Sequence, residues 1–451
     1  MRTRVLVALA AVLLGGSGAG AALVRGDGPL LPGRAAAPSV PPEPSRPPLL
    51  PSPGQVPVPT SAGLSAVLSQ ALADPALGGA VAASVVDART GTPLLDVRGA
   101  TPVVPASTAK IATAVAVLSG LPPDTRLSTR VLAGPQPGDV VLVGGGDVTL
   151  AGPTAMPGSP PPARLADLAA RARSGLAGAP VNRVLVDDTA YLGTTGPGWR
   201  PGYVAGGDVA PVSALSVDGG RAVPGHDGRV ADPALAAGKA FAALLGAPAA
   251  PVLRGTAAPG ALPLGAVDSP PVPLLVEQML TRSDNDLAET LAHRLALAQG
   301  RPGTFEGAAE AVRATLAEVV PEGGIALVDG SGLSRDNRVQ PAALAGLLSR
   351  VARETGDGRL SPVLSGLPVA GFDGTLEGRY RTGPSLPAAG DVRAKTGTLE
   401  GVSALAGLVR TADGGLLAFD VTAGAVPVGA TRAAEAALDR VAAALASCGC
   451  R

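Results

Sequence analysis

Ser107 and Lys110 stand three residues apart in Pro105-Ala106-Ser107-Thr108-Ala109-Lys110, so on a helix they share one face, one turn apart. The run behind them (Ile111, Ala112, Ala114, Val115, Ala116, Val117, Leu118) is apolar on every side, the pattern of a fully buried helix. Pro105 suits the position ahead of the first turn and Gly120 suits the stop. Burial drives a lysine toward its neutral form, and a neutral amine can take a proton from a hydroxyl. Two further groupings carry compatible chemistry. Ser283-Asp284-Asn285 offers a hydroxyl and a carboxamide on one short loop between predicted helices. Lys395-Thr396-Gly397 sits on a predicted strand, where Gly397 would let a substrate backbone lie along the chain.

Lysine is scarce here. Of the 36 basic residues only Lys110, Lys239 and Lys395 are lysine. Arginine carries charge equally well but keeps its proton in proteins. A lysine retained inside an apolar helix therefore points to a role that arginine cannot fill. Lys239, on the predicted helix Pro233 to Leu245, reads instead as a surface residue.

The elements that must position these groups follow from the rest of the chain. With 451 residues and 46% hydrophobic content, two or three domains with ample cores are expected. Zero net charge gives no argument for nucleic-acid binding. Aromatics are only 2% against 62 glycines and 46 prolines, so the core is built from Ala, Val and Leu with many turns. The two histidines (His226, His293) lie far in sequence from Cys448 and Cys450, which opposes a zinc site. Neither histidine has a G-x-S-x-G partner.

Residues 1–26 read as a signal peptide or an N-terminal membrane anchor: a basic start, an apolar middle and small residues after it. Residues 27–60 are a Pro-rich disordered linker. Leu64 to Leu72 is a predicted helix, and Val81 to Asp87 with Pro93 to Val97 a predicted hairpin. Residues 133–263 change to short β runs with Gly/Pro turns around a helix at Pro162 to Leu176, an expected β-rich insertion domain. Helices are predicted at Leu274 to Leu280, Leu287 to Gln299 and Pro341 to Glu354. Three antiparallel strands follow (Asp391 to Thr398, Ser403 to Arg410, Gly415 to Thr422), then a helix from Thr431 to Ala446. The main domain is thus split into 61–132 and 264–447, and 448–451 is a tail.

In this order, each on a suitable element, Ser107-x-x-Lys110, Ser283-x-Asn285 and Lys395-Thr-Gly397 resemble the motifs of penicillin-binding proteins and β-lactamases. The interval from Ser107 to Ser283 is much longer than in class A β-lactamases, and no E-x-x-x-N glutamate follows Asn285. The long insert is similar instead to the low-molecular-mass class C penicillin-binding proteins, the D-alanyl-D-alanine carboxypeptidase/endopeptidase family. Leu142-Val-Gly-Gly-Gly-Asp147, Val186-Asp-Asp188, Ala210 to Leu215, Asp329 to Arg335, Leu367 to Leu376 and Ala394 to Leu399 add to the likeness, which spans about Ser61 to Ala446.

The resemblance implies an α/β (α+β) penicillin-binding-protein/β-lactamase-like transpeptidase fold, an antiparallel sheet flanked by helices. It implies that Ser107 attacks the carbonyl between the two terminal D-alanines of a peptidoglycan stem peptide, with Lys110 as its base. Ser283 and Lys395 would pass a proton to the leaving amine, and Asn285 would hold the substrate amide and orient Lys110. Thr396 and Thr398, helped by the Lys395 charge, would bind the terminal carboxylate, with Gly397 lining the strand. The Ser107 and Thr398 N–H groups would form an oxyanion hole, where one donor typically contributes ~3 kcal/mol. β-Lactams would acylate Ser107 as covalent inhibitors, and the resemblance implies no metal or organic cofactor. The implied location is the cell envelope, outside the cytoplasm, with membrane attachment through the N-terminus as one option.

Other roles stay open for several of these residues. Ser283 could cap the following helix and Asn285 could be a turn residue. Asp147, Asp187 and Asp188 read as turn formers, Arg335 as a substrate contact or a structural ion pair, and His293 as packing or surface. Cys448-Gly-Cys450 could close a strained disulfide. A β-lactamase and a catalytically quiet wall-binding or β-lactam-sensing protein are the competing functions. If Lys110 must accept a proton, Lys110→Arg abolishes labelling by a fluorescent penicillin although the charge is kept; appreciable residual labelling argues against a proton-accepting lysine.

Overall fold

Thr60 opens the first helix, α1 (Ser61–Leu72), by accepting the Gly63 N–H on its hydroxyl. The computed structural model describes residues 57–154, 160–354 and 356–449. The expected leader (1–26), the linker as far as residue 56, and Cys450 lie outside the described residues. A hairpin of β1 (Val81–Asp87) and β2 (Pro93–Val97) follows α1, with the bounds read from the sequence. One 3-10 turn, Ala106–Thr108, then leads into α2 (Ala109–Gly120).

The middle of the chain builds its own sheet from β3 (Ser128–Ala133), β4 (Asp139–Val143), β5 (Arg183–Asp187), β6 (Val252–Arg254) and β7 (Pro263–Asp268). Their order is β6-β5-β4-β3-β7, with β4, β5 and β6 mutually parallel. Parallel neighbours need a crossover. α3 (Leu165–Leu176), between β4 and β5, supplies the first. Between β5 and β6 run the short α4 (Gly202–Ala205) and α5 (Pro233–Leu244). Leu168, Ala172, Ala237 and Phe241 of α3 and α5 pack on Val140, Leu142 and Val184 of the sheet.

The chain continues through α6 (Val272–Arg282), α7 (Asn285–Ala298) and α8 (Phe305–Val319). A two-residue pair, β8 (Ile325–Ala326) and β9 (Arg338–Val339), precedes α9 (Pro341–Ala352) and α10 (Ser361–Gly366). It ends with β10 (Val392–Leu399), β11 (Val402–Arg410), β12 (Leu416–Ala423) and α11 (Thr431–Ala446). These three strands join the first hairpin in one antiparallel sheet, β10-β11-β12-β1-β2.

Helices cover both faces of that sheet. α1 and α11 bury Leu64, Leu68 and Leu438 against Val85, Leu405 and Phe419 on one side. On the other, α9 packs on β1, β11 and β12, and α2, α6, α7 and α8 complete the core that takes in Ala406, Leu408 and Ala418. This explains why β11 and β12 read as nearly unbroken apolar runs. It also explains α2, which packs against α6, α7 and α8 and so needs an apolar surface all round. β10 is the sheet edge; Val369 bridges Arg393 at its start, and from Lys395 to Thr398 the strand is paired with β11 alone.

Candidate active site

Three separate segments bring Ser107, Lys110, Ser283, Asn285 and Lys395 together. Ser107 lies on the 3-10 turn at the mouth of α2, half-buried, while Lys110 one turn on has no exposed surface. The turn is held by the Thr108 hydroxyl, which donates to the Pro105 carbonyl at 2.7 Å. Ala106 has φ 49°, a left-handed conformation that costs a non-glycine residue of order 1–3 kcal/mol and that the surroundings must impose. Gly332 is part of that restraint. At φ 86° it passes so close to the turn that a Cβ would lie 2.0 Å from the Ala106 carbonyl oxygen.

The Lys110 amine has three oxygen neighbours: Asn285 Oδ1 at 2.6 Å, the Ser331 carbonyl at 2.6 Å and Ser107 Oγ at 3.0 Å. The first two can only accept, so two N–H bonds are committed to them. The third position faces a hydroxyl that can donate or accept. A neutral amine therefore has its lone pair directed at Ser107. Burial lowers this amine from its usual 10.5 to about 8, against the pull of the Asp329, Glu289, Asp284 and Asp286 carboxylates. At pH 7 about a tenth of the molecules then carry the free amine, against about one in three thousand for an ordinary lysine.

Ser283 is the C-cap of α6 in a left-handed conformation (φ 56°), which turns its hydroxyl away from the helix. The capping role open to it in the sequence belongs to its neighbour: Asp284 accepts the Leu287 N–H at 2.9 Å and starts α7. Lys395 Nζ donates to Ser283 Oγ at 2.8 Å and to the Thr396 carbonyl at 2.9 Å. Burial, reinforced by the Lys110 charge, holds its amine well below the usual lysine range. Asn285, the first residue of α7, donates through Nδ2 to the Asp208 carbonyl at 2.8 Å, which fixes its Oδ1 toward Lys110.

Along the edge strand, the Thr396 hydroxyl donates to Thr375 Oγ1 at 2.8 Å and the Thr398 hydroxyl to Glu435 Oε1 at 3.1 Å. A Cβ on Gly397 would come within 2.8 Å of the Pro105 carbonyl, so glycine here permits β10 to approach the Ser107 turn. A cleft of about 460 Å³, lined by Asn285, Asp284, Arg282, Arg229, Arg221 and Asp218, opens beside the Ser283 loop.

Sequence reasoning passed over the groups that hold the Ser331 carbonyl. Asp329 accepts the Gly332 and Ser334 N–H groups, the Asn337 amide and the Trp199 indole N–H at 2.6 to 2.9 Å. Glu289, fully buried, accepts Gly330 N–H at 3.0 Å and Ser331 N–H at 2.8 Å. The signal available for Glu289 was its place one turn beyond Asn285 among Leu287, Ala288, Leu291 and Ala292. The remaining candidates are held by other partners. Asp147 and Asp187 each accept the N–H and hydroxyl of the threonine two residues on, as turn formers do. Asp188 pairs with Arg254. Arg335 donates to the Glu400 carbonyl. His293 is buried, its ring against Tyr191 and Phe305. Lys239 is exposed.

The chain matches the family model described as the D-Ala-D-Ala carboxypeptidase 3 (S13) family over residues 64–227 and 225–445. It is 43% identical over 359 residues, 77% of this chain and 76% of the relative, to "Carboxypeptidase DacB" of Mycolicibacterium smegmatis. The crystal structure of penicillin binding protein 4 (dacB) from Haemophilus influenzae shares the fold with TM-score 0.67 at 23% identity, covering 84% of this chain and 97% of that one. A second structure of that protein, complexed with a β-lactam, has TM-score 0.61 at 23% identity over the same shares.

An amine titrating at about 8 sets the pH dependence of any reaction that needs its lone pair. Protonation below that pH removes the base. Acylation of Ser107 by a fluorescent penicillin, followed by stopped flow, rises about tenfold per pH unit between pH 6 and 7 and levels above pH 8; a flat profile over that range contradicts the assignment.

Proposed function

The chain belongs to the S13 family of D-Ala-D-Ala carboxypeptidases, and from that premise we propose that Ser107 is the nucleophile and Lys110 its base. The protein is a serine D-Ala-D-Ala carboxypeptidase. One observation carries the assignment of roles: the Lys110 amine is boxed by two acceptor-only oxygens so that its third position faces Ser107 Oγ at 3.0 Å.

The substrate is a peptidoglycan stem peptide ending in D-Ala-D-Ala, laid along the open edge of β10. Ser107 Oγ bonds to the penultimate D-Ala carbonyl carbon as its proton passes to Lys110 Nζ. The oxyanion that forms is met by the N–H groups of Ser107 and Thr398. The C–N bond then breaks, and the departing nitrogen takes, through Ser283, which Lys395 touches at 2.8 Å, the proton that Lys110 had accepted, leaving Lys110 as the free amine again. D-Alanine leaves and the peptide remains as an ester on Ser107. Water adds to that ester as its proton passes to Lys110, the acyl C–O bond breaks, and Lys110 returns the proton to Ser107 Oγ, releasing the shortened peptide with Ser107 restored. The terminal carboxylate meets the Thr396 and Thr398 hydroxyls, with Gly397 leaving the strand open. The same steps on a D-Ala bond within a cross-link make the enzyme an endopeptidase. A β-lactam opens on Ser107 and leaves a long-lived ester. Such a substrate places the protein in the cell envelope, with residues 1–26 as export signal or anchor; among the described residues no helix is long and apolar enough to cross a membrane.

Incubation with a fluorescent penicillin followed by mass mapping puts the adduct on Ser107, and purified muropeptides lose their terminal D-Ala with wild type but not with Ser107→Ala. Label elsewhere, or undiminished product with the alanine variant, overturns the assignment. Rapid release of hydrolysed penicillin identifies a β-lactamase instead.

A further inference from the structure

The oxygen that shares Lys110 with Ser107 and Asn285 is a backbone carbonyl, and a backbone carbonyl is only as fixed as its loop. Four contacts fix this one. The Gly330–Ser331 peptide is held from both sides: Thr113 Oγ1 of α2 donates to the Gly330 carbonyl at 2.8 Å, and the Ser331 N–H donates to Glu289 Oε1 at 2.8 Å. Glu289 Oε2 also takes the Gly330 N–H at 3.0 Å. In the next peptide, the Gly332 N–H donates to Asp329 Oδ1 at 2.9 Å while the Ser331 carbonyl accepts from Lys110. A carboxylate without exposed surface, on the helix that begins with Asn285, thus holds the far side of the residue whose near side touches the base.

We propose that Glu289 is a positioning residue of the acyl-transfer site, acting on the Lys110 amine through the backbone of Ser331. The inference rests on the roles of Ser107 and Lys110 given above. Without the two Glu289 bonds, the 330–331 segment keeps Thr113 and Asp329 but loses the support that presses its carbonyl toward α2. Lys110 then loses one of the two acceptors that aim its lone pair.

Glu289 also bears on Lys110 by charge. The other ionisable groups around the pair are Asp329 from the same loop, Asp284 and Asp286 at the start of α7, and Lys395 from β10. Burial and Asp329 push the Glu289 carboxyl up while its two N–H donors pull it back. Pushed up to about 8, the carboxyl gains its charge over the same range in which Lys110 loses its proton, and once ionised it raises the proton affinity of the amine. Removing that charge lets Lys110 shed its proton at lower pH.

The test is the pH profile of penicillin acylation in Glu289→Gln and Glu289→Asp, with the adduct mapped in each. The glutamine variant is expected to acylate more slowly at its plateau, with its acidic limb moved to lower pH by roughly half a unit to one unit. The aspartate variant keeps the charge but draws the oxygens back, so its limb stays and its plateau falls about tenfold or more. A purely structural glutamate lowers the unfolding midpoint of both variants and leaves the glutamine limb in place, which overturns the proposal. Should the glutamine variant not fold, an aspartate variant acylating at the wild-type rate overturns it equally. Wild type unlabelled at Ser107 defeats the underlying roles; labelled wild type with unaltered variants defeats this inference alone.

Discussion

Everything in the site follows from lowering the proton affinity of one amine beside one hydroxyl. Lys110 is buried on a helix with no polar face, which costs the ammonium form its water. The shift from 10.5 to about 8 corresponds to roughly 3 kcal/mol in favour of the free amine. That preference is useful only if the lone pair points at Ser107. Asn285 and Ser331 supply the direction by occupying the other positions. They come from segments some 175 and 221 residues away along the chain, so the base exists only in the folded protein.

The electrostatic balance is correspondingly close. Two buried lysines share the site, and the Lys110 charge disfavours an ammonium at Lys395. Four acidic groups answer them, and all four favour the charge on Lys110. Desolvation outweighs the carboxylates, since the amine ends below the ordinary lysine value. A tighter ring of acids would hold the proton on Lys110, and a drier site with fewer would loosen the loop that aims it. Asp329 and Glu289 also act as hydrogen-bond acceptors for loop N–H groups, so the same carboxylates shape the site and set its charge.

Much of this was written in local sequence. The hairpin at Val81 to Val97, the apolar helix behind Ser107 and the final helix from Thr431 are set by pattern alone, because burial on one or all sides leaves an unmistakable apolar spacing. Asn285, Ser283 and Lys395 were legible by type and order. What stayed hidden is long-range. The left-handed φ of Ala106 and the demand for glycine at 332 come from one segment crossing another, and neither residue announces it. A main-chain oxygen such as that of Ser331 has no residue-type signature at all. Ser283 and Asp284 are both good caps, and only the turn of the chain shows that Asp284 caps while Ser283 reaches Lys395. The stretch holding β4, β5 and β6 reads as short β runs, but the parallel pairing of these strands depends on crossovers that span tens of residues.

With three lysines in the chain, one of them exposed, the charge on Lys110 can be read directly. Protein labelled with [ε-13C]lysine gives three signals, assigned by removing each lysine in turn. Titrated by NMR, the Lys110 signal is expected to move with a midpoint near 8. A midpoint at the ordinary 10.5 would mean that the amine is an ammonium throughout the working range, and Ser107 would then need another base.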